Sequence, residues 1–396
     1  MKKILIINVY SYKNRGDSGI VTSMLSLLET KMGSDVEFSL MSPFYESNIE
    51  FYNASNVFSI PDATANIKGR SMLLKYMSLL SKFFFIDTKT LEFFKNADLV
   101  ISAGGGYIYS SKRGPLGFGL LNVALNFYYA HIARKPLILF PVSIGPLKFK
   151  LDKILIKKFI KTSTQIFVRE SQSFNNLKEL GIIENVDICH DIAFTLKKSD
   201  FKIKEIKNDS LINIGISVLD WRFSRGNATK SDIEKYLDKI TLSLKQTKLE
   251  YNIYIFPQVD VSEKDTDLFV SNKLQKKLGA SSRVIPLKSV FNPQDVVSLY
   301  SKMDLFIGSR MHSCIFSLAA GVPTICLAYQ FKSLGTFEFL GLEEDCFDVE
   351  SFHVKELQKK IKQKVEALSK CKKEVKQKVK AANALTQKKV VSYFDF

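Results

Sequence analysis

Short apolar runs alternate with amphipathic segments along most of the chain. Runs rich in Ile, Leu and Val, such as Ile4–Val9, are typical of parallel strands covered on both faces. In the first half, the pattern predicts strands at Lys3–Val9, Asp35–Leu40, Asn56–Ile60, Leu99–Ala103, Leu137–Pro141, Gln165–Arg169 and Val186–Cys189. It predicts helices at Ser18–Met32, Phe118–Ile132, Asp152–Lys161 and Ser171–Leu180. This alternation indicates a doubly wound α/β sheet.

A polar stretch at residues 196–210 interrupts the pattern and is interpreted as a linker. Beyond it, the alternation restarts with predicted strands at Ile212–Val218, Tyr251–Phe256, Arg283–Pro286, Asp304–Ile307 and Pro323–Leu327. The predicted helices of this half are Ser231–Lys245, Glu263–Leu278, Pro293–Ser301 and Ser313–Ala320. The sequence therefore predicts two Rossmann-like domains, residues 1–195 and 211–350, followed by a helical tail at residues 351–396.

The predicted tail is strongly basic. Between Lys355 and Lys389 it holds thirteen Lys against three Glu, and its apolar residues recur at helical spacing. One interpretation is a surface helix that packs on the protein and keeps its Lys side chains in water. The other is a helix that contacts anionic lipid headgroups.

A second segment, Ser71–Ile86, also suits a membrane surface. Its polar residues Ser71, Lys75, Ser78 and Lys82 form one narrow stripe at helical spacing, and nearly all its other residues are apolar. A helix of this kind is either buried in a core or lies in a membrane interface.

The chain has no uncharged apolar run of about 18 residues, so we expect no membrane-spanning segment. The N-terminal apolar run meets charged residues without a small-residue cleavage site, which favours a first strand over a signal peptide. We therefore expect a cytoplasmic protein. Any contact with lipid would be peripheral, at the inner face of the cytoplasmic membrane.

Composition excludes several classes of protein. With 396 residues, 46% apolar and 24% charged, the chain is not a disordered protein, a coiled coil, a collagen-like fibre or a small disulfide scaffold. Five scattered Cys and four His form no metal-ligand spacing, so we expect no metal and a reducing compartment. The net charge of +17 predicts anionic partners.

Candidate site residues follow the predicted strands, because ligands of open α/β sheets bind beyond the carboxyl ends of strands. These stretches are Asn14–Asp17, Gly104–Gly106, Val142–Pro146, Arg169–Glu170 and Gly308–His312. We expect them to line one cleft between the domains. The glycine run matches neither G-x-G-x-x-G nor the Walker pattern, which argues against NAD and P-loop nucleotide chemistry.

The segment Gly308–His312 is the most informative of these stretches. Arg310 is one of only nine Arg among 57 basic residues, and His312 is one of four His. A guanidinium binds carboxylate or phosphate through two hydrogen bonds, and the N-terminus of a helix attracts anions. The segment therefore predicts an anion site.

Together these stretches resemble the polysaccharide pyruvyltransferase family. The motifs that carry the resemblance are Asn14-x-Gly16-Asp17, DLVISAGGG at Asp98–Gly106, PVSIGPL at Pro141–Leu147, FVRESQSFNNLKELG at Phe167–Gly181, Asp187-x-x-x-Asp191, and GSRMHSCIFSLAAGVPTICLAY at Gly308–Tyr329 followed by Lys332. Their order and spacing extend from residue 1 to about residue 345.

The resemblance implies a two-domain fold like that of GT-B glycosyltransferases, with the domains facing across a cleft. The implied reaction moves pyruvate from phosphoenolpyruvate onto two hydroxyls of one sugar as a ketal. The family's Arg-x-His falls on Arg310 and His312, and its first-domain Arg falls on Arg169. The implied acceptor is a cell-surface glycan or its lipid-linked precursor, and no cofactor beyond the phosphoenolpyruvate donor is implied.

The chemistry needs the residue types that are present. The two anionic groups of phosphoenolpyruvate suit Arg169 and Arg310, and His312 suits the general acid that protonates the methylene carbon. Either Asp17 or Glu170 suits the base that accepts the hydroxyl protons, and the sequence favours neither. The predicted substrate-binding residues are Asn14, Gly16, Asp17, Gly104, Gly105, Gly106, Ser143, Glu170, Ser309 and Lys332.

Two other functions compete with this one. A GT-B glycosyltransferase that uses a sugar nucleotide would suit the same architecture, but the Glu-x7-Glu pattern of some such enzymes is absent. The charge of the basic tail suggests nucleic-acid binding as a second alternative. No RNP, KH or zinc-finger pattern accompanies it, so we expect no nucleic-acid partner. We expect phosphoenolpyruvate, a sugar acceptor and an anionic membrane surface as partners.

Overall fold

The computed structural model describes residues 1–33, 35–52, 54–65, 71–200, 206, 210–223, 228–262, 265–286 and 292–394. The chain forms two compact units. Unit one comprises Met1–Tyr12, Ile20–Ile192 and Leu385–Phe396, and unit two comprises Lys13–Gly19 and Ala193–Ala384.

Within its described residues, unit one is built on an eight-stranded sheet in which all paired strands are parallel. Its strands are β1 (Lys2–Ile7), β2 (Val36–Ser42), β3 (Val57–Pro61), β4 (Leu99–Ser102), β5 (Gly105–Ile108), β6 (Leu137–Ile144), β7 (Gln165–Val168) and β8 (Val186–Ile188). They are arranged in the order β3-β2-β1-β4-β6-β7-β8, and β5 pairs with β6. Every residue of β6 is buried, as expected for a strand covered on both faces.

Seven helices precede unit two's sheet along the described chain. They are α1 (Arg15–Met32), α2 (Tyr45–Tyr52), α3 (Met72–Ser81), α4 (Thr88–Asn96), α5 (Phe118–Ile132), α6 (Lys150–Ile160) and α7 (Ser171–Glu179). Helices α3 to α7 form a core cluster of unit one with the sheet, and α5 supplies much of it through residues such as Leu121, Leu125 and Phe127.

Unit two contains a six-stranded parallel sheet in its described residues. Its strands are β9 (Ile212–Ser217), β10 (Tyr251–Ile255), β13 (Ser282–Val284), β14 (Leu305–Gly308), β15 (Thr324–Ala328) and β16 (Cys346–Asp348), and β11 (Asp260–Ser262) pairs with β12 (Asp265–Thr266) as a separate antiparallel pair. The order β13-β10-β9-β14-β15-β16 is that of a Rossmann fold. The predicted α/β class with two Rossmann-like domains is confirmed.

The helices of the second half pack on this sheet or follow it. They are α8 (Lys230–Lys245), α9 (Leu268–Leu278), α10 (Pro293–Tyr300), α11 (Met311–Ala319), α12 (Phe331–Phe339), α13 (Val354–Glu366) and α14 (Leu368–Ser392). The predicted helix Glu263–Leu278 is wrong in its first turn, because Asp265–Thr266 is the strand β12 and the helix begins at Leu268. Residues 263 and 264 lie outside the described residues.

The compact units divide the chain differently from the predicted boundaries. Residues 13–19, predicted in the first domain, group with unit two, and residues from Leu385 onward group with unit one. Within the predicted linker, residues 201–205 and 207–209 lie outside the described residues.

The basic tail is helical, as predicted, and its apolar side is packed against protein. Leu357 and Ile361 belong to the unit-two core. Farther along, the Phe394 ring lies 6.1 Å from the Phe140 ring, measured between centroids, inside unit one. About half of the tail's Lys side chains are exposed, whereas others are half-buried and form ion pairs, such as those of Lys360 and Lys364 with Asp345.

None of the described helices has both the length and the apolar character that crossing a bilayer requires.

Candidate active site

The carboxyl end of β14 carries the predicted anion motif. The Ser309 amide donates to the Ser217 carbonyl (2.9 Å), and the buried Ser309 hydroxyl lies 2.5 Å from the phenol oxygen of Tyr236. Arg310 is the N-cap of α11, and His312 lies in the first turn of that helix. Both residues therefore stand at the N-terminal end of a helix, where backbone N–H groups favour an anion.

A buried carboxylate holds the Arg310 guanidinium. Asp267 accepts hydrogen bonds from Arg310 Nε (3.1 Å) and Nη2 (2.6 Å). The Asp267 side chain is 1% exposed, whereas that of Arg310 is 24% exposed. Burial works against the charged form of Arg310, but Asp267 outweighs it and raises the pKa of the guanidinium. Arg310 is thus a permanently charged cation in a fixed position. Asp267 holds one edge of its guanidinium, and the other N–H groups are not bound to Asp267.

Asp267 is not among the predicted site residues, because the sequence pattern predicts a continuous helix through it. The residue is in fact the N-cap of α9, yet its carboxylate makes no hydrogen bond to that helix. It accepts instead from the backbone N–H groups of Gln258 (3.2 Å) and Val259 (3.1 Å), and from Arg310. These donors stabilise the buried charge and fix its position beside Arg310.

The Asn14-x-Gly16-Asp17 motif belongs to the same unit as Arg310. Asn14 forms an antiparallel bridge with Val259, and the Asp260 N–H donates to the Lys13 carbonyl (3.4 Å). The Asn14 side chain accepts from the Gly16 N–H (3.1 Å), which shapes the start of α1. This part of the chain is therefore built into unit two next to the segment that also orients Asp267.

Gly16 lies directly against the catalytic candidate His312. A Cβ atom at residue 16 would be 2.3 Å from His312 Nδ1 and 2.6 Å from its Cγ. Contacts that short do not occur between real atoms, so only glycine fits here without moving the imidazole. The structure thus gives a steric reason for glycine at this position of the motif.

Unit two holds further charged residues of the predicted motifs. Asp17 follows Gly16 in α1 and is half-buried, and Lys332 is half-buried in the first turn of α12. Burial raises the pKa of Asp265, while Arg310 opposes this shift and Asp267 adds to it. Asp265 and Asp267 are thus within electrostatic range of Arg310 at the N-terminus of α11, and Asp17 follows the glycine that lies against His312.

Unit one holds Arg169 in a buried polar network at the carboxyl ends of β6 and β7. Its Nε donates to Ser143 Oγ (2.8 Å), and its Nη1 forms an ion pair with Asp191. The carboxylate of Glu170 is 3.8 Å from Arg169 Nε. Among the described residues, Arg169 Nη2 has no hydrogen-bond partner, and the whole guanidinium is buried.

Glu170, one of the two candidate bases, is fully occupied within this network. Its side chain has no exposure, and its two carboxylate oxygens accept hydrogen bonds from Ser143 (3.0 Å) and Ser173. A carboxylate with these partners stabilises the Arg169 cation and the start of α7. Asp17, by contrast, is half-buried in unit two.

The glycine run Gly104–Gly106 differs from the expected ligand-binding turn. Gly105 and Gly106 are the first residues of β5, and Gly105 pairs with Val142. A Cβ at Gly104 would be 2.8 Å from the Pro141 carbonyl oxygen, so glycine here permits close backbone packing. That all of these residues line one cleft with Arg310 and His312 stays a prediction from the sequence.

Replacing Arg169 by Met is expected to destabilise the protein by about 3–5 kcal/mol, because Asp191 and Glu170 would remain buried without their cation. Urea denaturation measures the change in the free energy of unfolding. The matched control is Arg113→Met, since Arg113 is exposed and its loss is expected to change stability by less than about 0.5 kcal/mol. Equal stability of the two variants would contradict a supporting role for the Arg169 network.

The fold defines a class of α/β proteins with two Rossmann-like units. The structure is similar to a UDP-GlcNAc 2-epimerase from Neisseria meningitidis bound to UDP-GlcNAc (TM-score 0.63, 12% identity, 99% of each chain covered). It is also similar to a glycosyltransferase from Rickettsia africae (TM-score 0.58, 11% identity, 99% of this chain and 97% of the other). At these identities the likeness concerns the fold, which is GT-B-like.

The sequence comparisons are more specific. Residues 14–330 match the family model described as polysaccharide pyruvyl transferase, from Asn14 of the first motif to just before Lys332. The chain is also 24% identical over 380 residues to the amylovoran biosynthesis protein AmsJ of Erwinia amylovora, covering 88% of each protein. The chain belongs to the polysaccharide pyruvyl transferase family, as the motifs predict, and is a transferase of polysaccharide biosynthesis.

Proposed function

We propose that this pyruvyltransferase moves the pyruvyl group of phosphoenolpyruvate onto two hydroxyls of one sugar and forms a ketal, with no metal or resident cofactor. The observation that carries the proposal is the Arg310 guanidinium, fixed by buried Asp267 at the N-terminus of α11 beside His312. Of its five N–H groups, Asp267 engages two. The remaining ones suit the carboxylate or phosphate of the donor.

The proposed reaction begins with a proton transfer to carbon. His312 protonates the methylene carbon of the enol, which leaves positive character on the central carbon. A sugar hydroxyl attacks that carbon and gives up its proton. The C–O bond to phosphate then breaks, and inorganic phosphate leaves with its electron pair. A second hydroxyl of the same sugar adds to the central carbon and closes the ring, and its proton goes to the departing phosphate. One donor and two hydroxyls thus give one ketal and one phosphate.

We assign the base to Asp17 rather than Glu170. Asp17 follows Gly16, whose backbone lies against the His312 ring, and it is half-buried. The Glu170 carboxylate is fully buried and accepts from Ser143 and Ser173, so taking a further proton would disrupt the network around Arg169. These contacts support Asp17 over Glu170, between which the sequence favoured neither, and Asp17→Asn is the substitution that tests the assignment.

The test is incubation with phosphoenolpyruvate and a panel of β-galactosides and N-acetylhexosaminides. The expected product is about 70 Da heavier than the acceptor and more acidic, because pyruvate is added, water is lost and the carboxylate is kept. Arg310→Ala and His312→Ala are each expected to lower product formation by about 10²–10⁴-fold while the protein stays folded. Full turnover in both variants would remove the assignment.

Calorimetry distinguishes the competing glycosyltransferase function. We expect phosphoenolpyruvate to bind, and UDP- and GDP-sugars to give no comparable heat. Tight binding of a sugar nucleotide without any response to phosphoenolpyruvate would favour the glycosyltransferase instead.

We further propose that the acceptor is a cell-envelope glycan or its lipid-linked precursor, which the enzyme meets at an anionic membrane surface. The net charge of +17 supports an anionic surface as a partner.

A further inference from the structure

Helix α3 and the turn after it expose apolar side chains that the protein does not cover. Leu73 is 72% exposed, and Phe84 and Phe85 are 82% and 80% exposed. The other exposed apolar residues of this segment are Met72, Leu74, Met77 and Ile86. Of the two sequence interpretations, a buried core helix is therefore wrong. A contiguous apolar patch of this kind marks an interaction surface.

The opposite side of the segment anchors it to unit one. The Tyr76 hydroxyl donates to the Leu116 carbonyl (3.0 Å), and Leu79 is fully buried. The Phe83 ring stacks on Tyr128 at 5.7 Å between centroids. The helix ends at Ser81, short of the predicted Ile86, and the N–H groups of Phe84 and Phe85 both donate to the Ser81 carbonyl. The turn thus presents two adjacent Phe rings from a firmly held base.

A basic segment borders this patch. Residues 148–161 include six Lys, and their one acidic residue, Asp152, is buried. Five of these Lys side chains are exposed, and only Lys153 is half-buried; the exposed ones are Lys148, Lys150, Lys157, Lys158 and Lys161. Between the described residues, none of the five forms an ion pair.

Specific contacts place the basic segment beside the apolar patch. The Phe83 and Phe159 ring centroids are 6.2 Å apart, and Lys158 Nζ lies 5.5 Å above the Phe159 ring. On the other side, the Leu116 N–H donates to Asp152 in α6 (2.6 Å), while the Leu116 carbonyl accepts from Tyr76 in α3. The loop that contains Leu116 also carries the exposed cations Lys112 and Arg113.

We propose that this face of unit one, the apolar patch of α3 and its turn together with the Lys side chains of residues 148–161, binds an anionic lipid bilayer. This inference rests on the proposed function, since it assigns the surface that brings the enzyme to a membrane-bound acceptor. Apolar side chains enter the headgroup region while neighbouring cations pair with lipid phosphates. Combined insertion and charge attraction is what an interfacial element needs.

The charge pattern favours a bilayer over a second copy of this chain. A two-fold interface brings the same patch of each copy together, so the exposed Lys side chains around the patch would face one another. That repulsion has no counterpart on an anionic membrane, which supplies the opposite charge. The tail helices offer charge without exposed apolar residues of this kind, because their apolar side is packed against protein.

The experiment is co-sedimentation of the full chain with vesicles of mixed phosphatidylcholine and phosphatidylglycerol, compared with pure phosphatidylcholine. We expect binding to the anionic vesicles that weakens at high salt. Replacing both Phe84 and Phe85 by Ser is expected to lower the vesicle partition coefficient by about tenfold or more. Lys157→Glu with Lys158→Glu is expected to lower it by at least about tenfold, since each charge near the surface counts.

Matched controls lie outside this face. Phe269→Ser removes a Phe of unit two that is similarly exposed, and Lys355→Glu with Lys359→Glu reverses two exposed charges of the tail. Both are expected to leave binding within about twofold of the wild type. Absence of binding to anionic vesicles, or equal loss from the tail variant, would overturn the assignment. So would dimers that dissociate when Phe84 and Phe85 are replaced.

Pyruvyl transfer to a soluble acceptor separates this inference from the proposed function. The Phe84 and Phe85 variant is expected to retain wild-type turnover on a soluble sugar while losing vesicle binding. If vesicle binding fails but pyruvyl transfer persists, the surface assignment alone is wrong. If vesicle binding holds and no pyruvyl transfer occurs with any acceptor, the proposed reaction is wrong.

Discussion

Replacing Asp267 by Asn is expected to lower pyruvyl transfer by about 10²-fold, although Asp267 is proposed to touch neither substrate. Its carboxylate accepts from two nitrogens of Arg310, so it fixes where the guanidinium points. An Asn side chain keeps one acceptor oxygen but loses the charge and the two-point grip. A cation displaced by about 1 Å from its productive position costs a loss of this order. Steady-state kinetics with phosphoenolpyruvate as the varied substrate measures the effect.

The double variant shows whether Asp267 acts through Arg310. If it does, Asp267→Asn adds little to the loss already caused by Arg310→Ala, because the two residues work as one unit. The KM for phosphoenolpyruvate should rise in Asp267→Asn, which a merely destabilised fold would not produce. Asp238→Asn is the control, since Asp238 is an exposed acid of the same unit. Additive losses in the double variant would contradict the positioning role.

Much of the fold follows from the periodicity of apolar residues. The predicted helix Phe118–Ile132 has the bounds of α5, and the central strands of both sheets lie where runs of Ile, Leu and Val predict them. Buried parallel strands leave a strong signal because both faces must be apolar. Strands with a weaker apolar pattern were not predicted. Of these, β5 begins with two glycines, and β16 is three residues long at the edge of its sheet.

Strand ends were harder to predict than strand centres. The strand predicted to end at Pro141 continues to Ile144 as β6. Proline has no N–H to donate to a ladder, which normally ends a strand. Here the regular pairing of β6 with β4 stops at Leu139, and its pairing with β5 starts at Val142. Pro141 therefore lies in the part of β6 between its pairing with β4 and its pairing with β5. The missing N–H donor is tolerated there.

Only part of the candidate site could be predicted from the sequence. Arg310 and His312 stood out because scarce residue types follow an apolar strand at the start of a helix. Asp267 gave no such signal, because an Asp before an apolar stretch normally caps its helix, and its turn toward Arg310 depends on tertiary contacts. Likewise, no local pattern predicts that Gly16 lies against His312, since contacts between distant segments are set by the fold.

Substituting Ala for Gly16 is expected to lower pyruvyl transfer by about 10²-fold or more while the protein remains folded. The added methyl group would lie 2.3 Å from Nδ1 and 2.9 Å from Cβ of His312. Because the clash reaches the root of the side chain as well as its ring, rotation of the imidazole alone cannot relieve it. The ring must leave the position from which it is proposed to protonate the donor, and misplaced catalytic groups lose most of their effect.

The stability of this variant is expected to change far less than its activity. Overpacking costs about 1–3 kcal/mol, and the better helix propensity of Ala recovers up to about 1 kcal/mol of it. Gly119→Ala is the matched control, because Gly119 lies in helix α5 with open space around it. That control is expected to gain stability by up to about 1 kcal/mol and to keep full activity. Wild-type turnover in Gly16→Ala would show that His312 does not need its place beside Gly16, and the proposed proton transfer from this imidazole would then be untenable.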